Sequence, residues 1–160
     1  ESHFDMVRTG LCVYGIAPAP HLAAAIAVKP VLSLRSAVVY FKSIPAGTPV
    51  SYGRRWQAPT DTRVVTIPIG YGDGFPRAYS NRGVVLIRGK RCPIRGSVCM
   101  DQLVVELGPN GTGYNGDEVV ILGSQGADEI TVGELAELGN TVPHEVVTLL
   151  NDRIPRRFKP

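Results

Sequence analysis

The sequence predicts a mainly β fold, an antiparallel β-barrel-like domain with a small helical appendage near the C-terminus. Glycine (18) and proline (13) supply 31 of the 160 residues, well above the ~12% of average usage, and such turn-forming residues favour short strands over a helical bundle. Short apolar runs separated by turn signals occupy the middle of the chain, and two helix-start patterns follow them. With 44% hydrophobic and 19% charged residues, the chain can bury a core.

The predicted strands follow a proline-containing connector at residues 13–30, which has room for a turn or two of helix. A long strand is predicted over residues 31–44, where apolar residues are dense, and the chain turns directly after it. Further strands are predicted at residues 63–69, 83–87, 91–94, 98–107 and 118–122. Short strands at such turn-marked intervals suggest a sheet that is closed or nearly closed into a barrel.

Two helices are predicted after the strands. Thr131 and Glu134 form the capping-box pattern of a helix start, and Gly139 is a suitable terminator. A second helix is predicted over residues 143–150, because Pro143 is tolerated in a first helical turn. At the other end of the chain, the first dozen residues predict a turn and a short strand that belong to a preceding domain.

Composition also excludes several classes of protein. The apolar runs are too short to span a bilayer, and no secretion-signal pattern is present. Cys12, Cys92 and Cys99 have no metal-ligand spacing, so we expect reduced thiols, no metal site and a cytoplasmic protein. The net charge of +3 is weak support for nucleic acid or membrane partners, and neither is expected.

A few residues are candidates for chemistry from their type and setting alone. Gly10, two residues after Arg8, allows backbone N–H groups to approach an anion closely, although an ordinary strand-end turn with a solvated arginine is the simpler explanation. Tyr52 and Tyr71 lie at glycine-containing turns, where most tyrosines are half-buried core residues. Asp101 falls within a predicted apolar strand, either with a functional role or facing outward. These residues alone indicate a soluble β-barrel domain with a tyrosine-rich pocket.

Six segments occur in an order and spacing that resemble a known family. They read FDMVRTGLCVYG, PAGTPVSYG, IPIGYGDGFPR, GKRCPIRGSVCMDQ, GDEVVILG and a C-terminal IPR. Together they resemble the carboxy-terminal part of alanine racemase, from about Phe4 to the end of the chain. The IGYGDG and CMDQ segments are the most specific of the six.

The resemblance implies a pyridoxal phosphate enzyme with an N-terminal (β/α)8 barrel and a C-terminal β domain. It implies that residues 1–12 are the last strand region of the barrel and that residues 13–160 are the β domain. Such enzymes are head-to-tail homodimers whose active site forms between one subunit's barrel and the partner's β domain. They interconvert L- and D-alanine for peptidoglycan synthesis in the bacterial cytoplasm.

The resemblance also implies roles for residues on the substrate side of the active site. Tyr52 is similar to the tyrosine that acts as one of two catalytic bases, received by the barrel of the partner subunit. Tyr71 matches a second tyrosine, which lines the substrate entrance. Met100 matches the residue whose backbone N–H meets the substrate carboxylate, and Asp101 lies beside it.

On the cofactor side, Arg8 resembles the arginine that faces the pyridine nitrogen. Gly10 and Leu11 resemble the pair whose backbone N–H groups hold the phosphate. His144 stands where the family commonly has a tyrosine that contacts the phosphate. Two interpretations of His144 are open. The histidine either donates to the phosphate, as the tyrosine does, or only fills the space of that tyrosine.

Two departures from the family pattern leave alternatives open. Without the barrel and its cofactor-binding lysine, we expect these 160 residues to be inactive alone and not to retain pyridoxal phosphate. His144 raises the alternative of a racemase of serine or another amino acid. A third reading is a free-standing β-barrel binding module.

Overall fold

The fold is known from a computed structural model that describes residues 5–22 and 25–158. Within that part of the chain, ten strands precede two α-helices. The strands are β1 Leu34–Ala37, β2 Tyr40–Ile44, β3 Pro49–Val50, β4 Trp56–Gln57, β5 Thr62–Ile67, β6 Val84–Ile87, β7 Lys90–Arg95, β8 Leu103–Gly108, β9 Glu118–Gln125 and β10 Asp128–Ile130, and the helices are α1 Val132–Gly139 and α2 Pro143–Leu149. A mainly β domain with two helices near its C-terminus is therefore confirmed.

An antiparallel sheet dominates the domain. Its strand order is β1-β9-β6-β7-β8-β5-β2, with β10 paired to β9, while β3 and β4 form a separate two-stranded ribbon. The sheet begins and ends with consecutive strands, separated by Val38 and Val39, whose amides donate to Asp117 O (2.9 Å) and Thr66 O (3.0 Å). Since β1 and β2 do not pair with each other, the sheet is not closed, and the predicted barrel is not confirmed.

Two hydrophobic clusters hold the domain together. The main core lies between the sheet and the helices and includes fully buried Ile67, Ile94 and Leu103. A smaller cluster packs Ile44, Val50, Ala58 and Val64 beneath the β3–β4 ribbon, with Trp56 and Val104 partly buried against it. The ribbon therefore has a small core of its own, separate from the main one.

Several predicted strands differ in extent from the observed ones. The long strand over 31–44 is interrupted at Val38 and Val39, and the strand over 98–107 begins only at Leu103. Conversely, β9 continues to Gln125, beyond its predicted end. The two-residue strands β3 and β4 and the three-residue β10 are too short to leave an alternating pattern in the sequence.

The described start of the chain contains a 3₁₀ helix, Gly10–Tyr14, instead of the predicted strand. Gly15 ends this helix with φ +72°, and a side chain there would overlap the carbonyl of Lys29. Residues 1–4, 23, 24, 159 and 160 lie outside the described residues. The assignment of residues 1–12 to a preceding domain stays a prediction.

Both C-terminal helices form where the sequence predicts them. The Thr131 hydroxyl accepts a hydrogen bond from the amide of Glu134 (3.1 Å), so the predicted cap is confirmed. Asn140, one residue after Gly139, takes the left-handed conformation that ends α1. In the described ranges, every helix is too short or too polar to cross a bilayer.

Candidate functional site

Tyr52 stands at the tip of the β3–β4 ribbon, at the start of a short 3₁₀ turn, Tyr52–Arg54. Its side chain is 76% exposed. Below it, Val50 is buried and Trp56 lies under the guanidinium of Arg95, 5.4 Å from the ring centroid. The ribbon therefore holds the base of the turn in a small core and presents the tyrosine ring to the outside.

The loop between β7 and β8, residues 96–102, binds directly to this turn. Ser97 is buried, and its hydroxyl donates to the carbonyl of Tyr52 (3.0 Å). In return, the hydroxyl of Ser51 donates to the carbonyl of Ser97 (2.7 Å) and lies 3.3 Å from the sulfur of Cys99. Two hydroxyl groups thus connect the turn and the loop in both directions.

The glycine-rich segment after β5 joins the other side of the same loop. The amide of Tyr71 donates to Cys99 O (3.0 Å), and the amide of Gly72 donates to Met100 O (2.8 Å). Gly70 has no room for a side chain, because a Cβ would overlap the carbonyl groups of Cys99 and Met100. Backbone contact this close brings Tyr71 next to Met100.

Asp101 lies in the loop and not within a strand, so the strand placement predicted for it is wrong. Its carboxylate accepts a hydrogen bond from Arg153 Nη2 (2.5 Å), and Arg153 Nε lies 3.5 Å from Asp73 Oδ1. The hydrogen bond to Asp101, followed by the charge of Asp73, raises the pKa of Arg153. The side chain of Asn151 donates to Gly72 O (2.8 Å), so the C-terminal segment ties both loops together.

Four of the predicted site residues thus share one group of loops, which we call the tyrosine face: Tyr52, Tyr71, Met100 and Asp101. Tyr71 is 47% exposed and Met100 is 52% exposed. The two tyrosines therefore lie on an open surface and not in the predicted tyrosine-rich pocket. A cavity of about 360 Å³ lies away from the tyrosine face, between the sheet and the loop around Asn110.

The other four predicted residues lie apart from the tyrosine face. Arg8 and Gly10 are exposed and Leu11 is buried, all at the start of the first 3₁₀ helix. His144 is exposed in the first turn of α2. No hydrogen bond or ion pair within the described ranges joins any of them to the tyrosine face.

Sequence reasoning missed the residues that hold the face together: Ser51, Ser97, Asn151 and Arg153. Ser51 stands inside the VSYG segment, but a serine at a turn has no pattern that reveals a distant acceptor. In the described part of the chain, no group of three or more histidine, cysteine, aspartate or glutamate side chains is placed to hold a metal ion.

Comparison with known proteins defines the class of this domain. The profile of the family "Alanine racemase, C-terminal domain" matches residues 31–158. The "Alanine racemase 2" of Bacillus subtilis (strain 168) is 48% identical over 161 residues, which cover 99% of this chain and 41% of that protein. The chain belongs to the alanine racemase C-terminal domain family.

Solved structures agree with this assignment. An alanine racemase from E. faecalis superposes with a TM-score of 0.91 at 36% identity, over 96% of this chain and 41% of that chain. An alanine racemase from Bartonella henselae, with covalently bound pyridoxal phosphate, gives a TM-score of 0.80 at 32% identity, over 93% of this chain and 40% of that chain. The chain thus spans about two fifths of the length of the proteins that it matches.

Proposed function

We propose that this chain is the C-terminal domain of a pyridoxal-phosphate-dependent alanine racemase, which supplies D-alanine for peptidoglycan in the bacterial cytoplasm. The observation that carries the proposal is the tyrosine face. It presents a phenol on a braced turn, next to a second tyrosine and to Met100. The family membership of residues 31–158 supports the same conclusion.

Inverting a stereocentre needs an acid–base group on each side of the reacting carbon. The Tyr52 hydroxyl is proposed as the group on one side, where it removes or returns the α-proton. The group on the other side is proposed to be a lysine outside these 160 residues. Pyridoxal phosphate, when bound, supplies the electron withdrawal that makes the α-proton acidic.

Met100 and Asp101 are proposed to orient the substrate. The amide of Met100 is the proposed donor to the substrate carboxylate, and the hydrogen bond from the amide of Gly72 to the carbonyl of Met100 holds this residue in place. Asp101 is bound to Arg153 and stands beside this position. Tyr71 is proposed to line the substrate entrance.

The start of the first 3₁₀ helix fits the phosphate end of such a cofactor. Gly10 and Leu11 occupy its first turn, where backbone N–H groups have no acceptor within the helix, and the side chain of Thr9 does not cap them. A Cβ at Gly10 would meet no other atom within 4 Å, so there is open space beside this residue. Arg8 is proposed to face the pyridine nitrogen, and His144 to donate to the phosphate.

A homodimer explains why the two halves of the predicted site do not meet in one chain. We propose that the tyrosine face completes the active site of the partner subunit, whereas Arg8, Gly10 and Leu11 serve the site of their own subunit. The exposure of Tyr52, Tyr71 and Met100 supports this, because large apolar side chains grouped on an open surface commonly mark an interface.

The test replaces Tyr52 by phenylalanine in the full-length protein and follows alanine by NMR in heavy water. We expect racemisation to slow by at least roughly 100-fold, the usual contribution of a general acid–base group. One enantiomer should still exchange its α-proton for deuterium with retention, because the base on the opposite side remains. A two-base reaction is the arrangement that predicts this split between exchange and inversion.

The matched control is Tyr40→Phe, since Tyr40 is exposed on β2 away from the tyrosine face. The role of Tyr52 is refuted if Tyr52→Phe racemises alanine as fast as the control.

Relative kcat/KM values for alanine and serine in the unmodified protein decide between alanine and the alternative substrate that His144 suggests. A protein with no racemase activity on any amino acid would favour the binding-module alternative.

A further inference from the structure

We propose that Ser97 and Ser51 are positioning residues that hold the Tyr52 phenol in its catalytic place. The inference rests on the function proposed above, because it gives these two serines a role in the same reaction. Each serine hydroxyl donates to a main-chain carbonyl, so each acts through the backbone that carries Tyr52.

The first observation is where the two hydrogen bonds attach. Ser97 donates to the carbonyl of Tyr52 itself, and the residue just before Tyr52 donates to the carbonyl of Ser97. The turn is therefore held immediately before and immediately after the Tyr52 Cα. Because Ser97 is only 2% exposed, water cannot readily replace its bond to Tyr52.

The second observation is the backbone of the turn. Ser51 has φ +64° and ψ −179°, and Gly53 and Arg54 also have positive φ values, +73° and +49°. Serine and arginine rarely adopt such conformations, which persist only where the surroundings enforce them. The two serine hydroxyl groups supply that enforcement, since the Ser51 hydroxyl anchors the first strained residue and the Ser97 hydroxyl holds the carbonyl of the next residue, Tyr52.

The third observation is that, among the residues that the structure describes, little else fixes the direction of the Tyr52 ring. The side chain of Tyr52 is 76% exposed, so packing within the domain contributes little to its direction. The backbone of the loop lies directly against the turn, because a Cβ at Gly96 would overlap Val50 O and the Ser51 side chain. The direction of the phenol thus depends on how firmly the turn is held to the loop.

The same loop carries Met100. Ser97 and Met100 are three residues apart, and the carbonyl groups of Cys99 and Met100 are held by the Tyr71 segment. The serine pair therefore also sets the separation between the proposed base at Tyr52 and the proposed carboxylate donor at Met100. A loosened turn would leave substrate binding intact and disturb the proton transfer.

The first arm of the test measures backbone order by NMR relaxation on the 160-residue chain. The variants are Ser97→Ala and Ser51→Ala, and the control is Ser43→Ala on exposed β2. We expect the order parameters of Tyr52 and Gly53 to fall from about 0.85, typical of a rigid backbone, to below about 0.6 in both variants. Strand β8 and the control should be unchanged.

The second arm measures racemisation by the full-length protein carrying the same substitutions. We expect kcat to fall roughly 10- to 100-fold, the scale of a small misplacement of a reacting group, while KM stays within about twofold. Because mirror-image substrates have equal free energies, kcat/KM should fall equally in both directions.

The two arms separate failure of this inference from failure of the proposed function. The positioning role would be overturned if the backbone order parameter of Tyr52 were unchanged in both variants, or if kcat fell no more than it does in Ser43→Ala. If Ser97→Ala does not fold, the order parameters of Tyr52 and Gly53 in Ser51→Ala test the positioning role instead. Ser51 is only partly buried, so we expect this variant to fold. Absence of racemisation in the unsubstituted protein would refute the proposed function. The relaxation measurement would then still show whether the two serine hydroxyl groups hold the Tyr52 turn rigid.

Discussion

At the scale of single residues, Tyr79 is unusual because its hydroxyl is buried among apolar groups. It is 1% exposed, its ring edge packs on Phe75 with centroids 4.8 Å apart, and its oxygen has no hydrogen-bond partner in the described part of the chain. Burial, followed by the negative charge of Glu145, raises the pKa of Tyr79 above its ordinary value of 10.0. The neutral phenol is therefore strongly preferred in the folded protein.

We expect Tyr79→Phe to increase the free energy of unfolding by about 1 kcal/mol at pH 7, since it removes an unpaired polar atom and keeps the ring. The pH dependence has a definite sign. The unfolded chain loses the phenol proton near pH 10 and the folded chain only at higher pH, so the wild type loses stability as the pH rises above 10. Urea denaturation at pH 7, pH 8 and pH 11 measures both the gain in stability and its pH dependence.

The advantage of the phenylalanine variant should therefore widen between pH 8 and pH 11. Tyr40→Phe is the control. Because Tyr40 is 57% exposed, its substitution should alter neither the free energy of unfolding nor the dependence of that free energy on pH. A lower stability for Tyr79→Phe at pH 7 would mean that the hydroxyl is satisfied in solution.

The residues of the tyrosine face divide into those that a sequence reveals and those that it does not. Tyr52, Tyr71 and Met100 stand in motifs whose order along the chain identifies them. Ser97 also stands in one of these segments, but its role is not visible in the sequence, because its acceptor lies 45 residues away and only the fold brings the two together. Arg153 is likewise separated from Asp101 by 52 residues.

At the scale of secondary-structure elements, α1 depends on its cap. The helix is eight residues long, too short to be stable in isolation, so its end effects matter. We expect Thr131→Ala to lower the free energy of unfolding by about 1 kcal/mol, because the amide of Glu134 loses its acceptor. Thermal and urea unfolding of the chain measure this loss.

Thr131→Ser is the matched control, since serine keeps the hydroxyl and should retain most of the stability. Equal stability for the alanine and serine variants would contradict a capping role. A second contact also holds this end of the helix: Arg91 binds both Asp128 and Glu134. The cap variant should therefore weaken α1 without detaching it.

Elements were predicted well where the burial pattern is long and poorly where the chain bends. Residues of β5, β7 and β8 that face the core, among them Val65, Ile94 and Val105, are fully buried or nearly so, which gives a clear periodic signal. Val98 is also buried, yet it lies in the loop. Its amide donates to the hydroxyl of Ser80 (2.9 Å) and the amide of Cys99 donates to Gln102 O (2.9 Å), and these bonds replace strand pairing there. An apolar run cannot distinguish these two ways of burying a residue.

At the scale of the whole molecule, the C-terminal segment acts as a strap across the tyrosine face. Arg153 contacts Asp101 and Asp73, and Asn151 binds Gly72. These contacts lie near the surface, where ion pairs contribute little to global stability. We therefore expect these contacts to stabilise the nearby loops against local opening and to contribute little to the global free energy of unfolding.

We expect Arg153→Gln to change the free energy of unfolding by less than about 0.5 kcal/mol and to accelerate hydrogen exchange at the amides of Gly72 and Asn151 by at least about tenfold. Arg156→Gln is the control, because the described contacts of the Arg156 guanidinium stay within the C-terminal segment: it donates to Leu150 O (3.2 Å) and approaches Asp152 (3.9 Å). Native-state hydrogen exchange followed by NMR measures the amides separately. Exchange that rises equally across β8 would show a global effect and contradict the strap.

The overall class of fold was predictable, whereas the strand order was not. The density of turns and the two helix-start patterns predict a β domain with late helices, and both are present. The pairing of β1 with β9 joins residues such as Ala37 and Glu118, and neither strand contains a signal that identifies the other. Only the burial of both against one core brings them together.

The position of β1 has a consequence for how the chain is made. During synthesis the N-terminal part leaves the ribosome first, and β2, β5, β8, β7 and β6 form a continuous set of neighbours that can pair once Gly108 has emerged. Strand β1 cannot find its partner until Glu118–Gln125 follows. A nascent chain therefore leaves both β1 and the free edge of β6 unpaired until β9 has been made. The pairing of β1 with β9 also spans the longest stretch of chain between paired strands, so it has the largest loop-closure entropy.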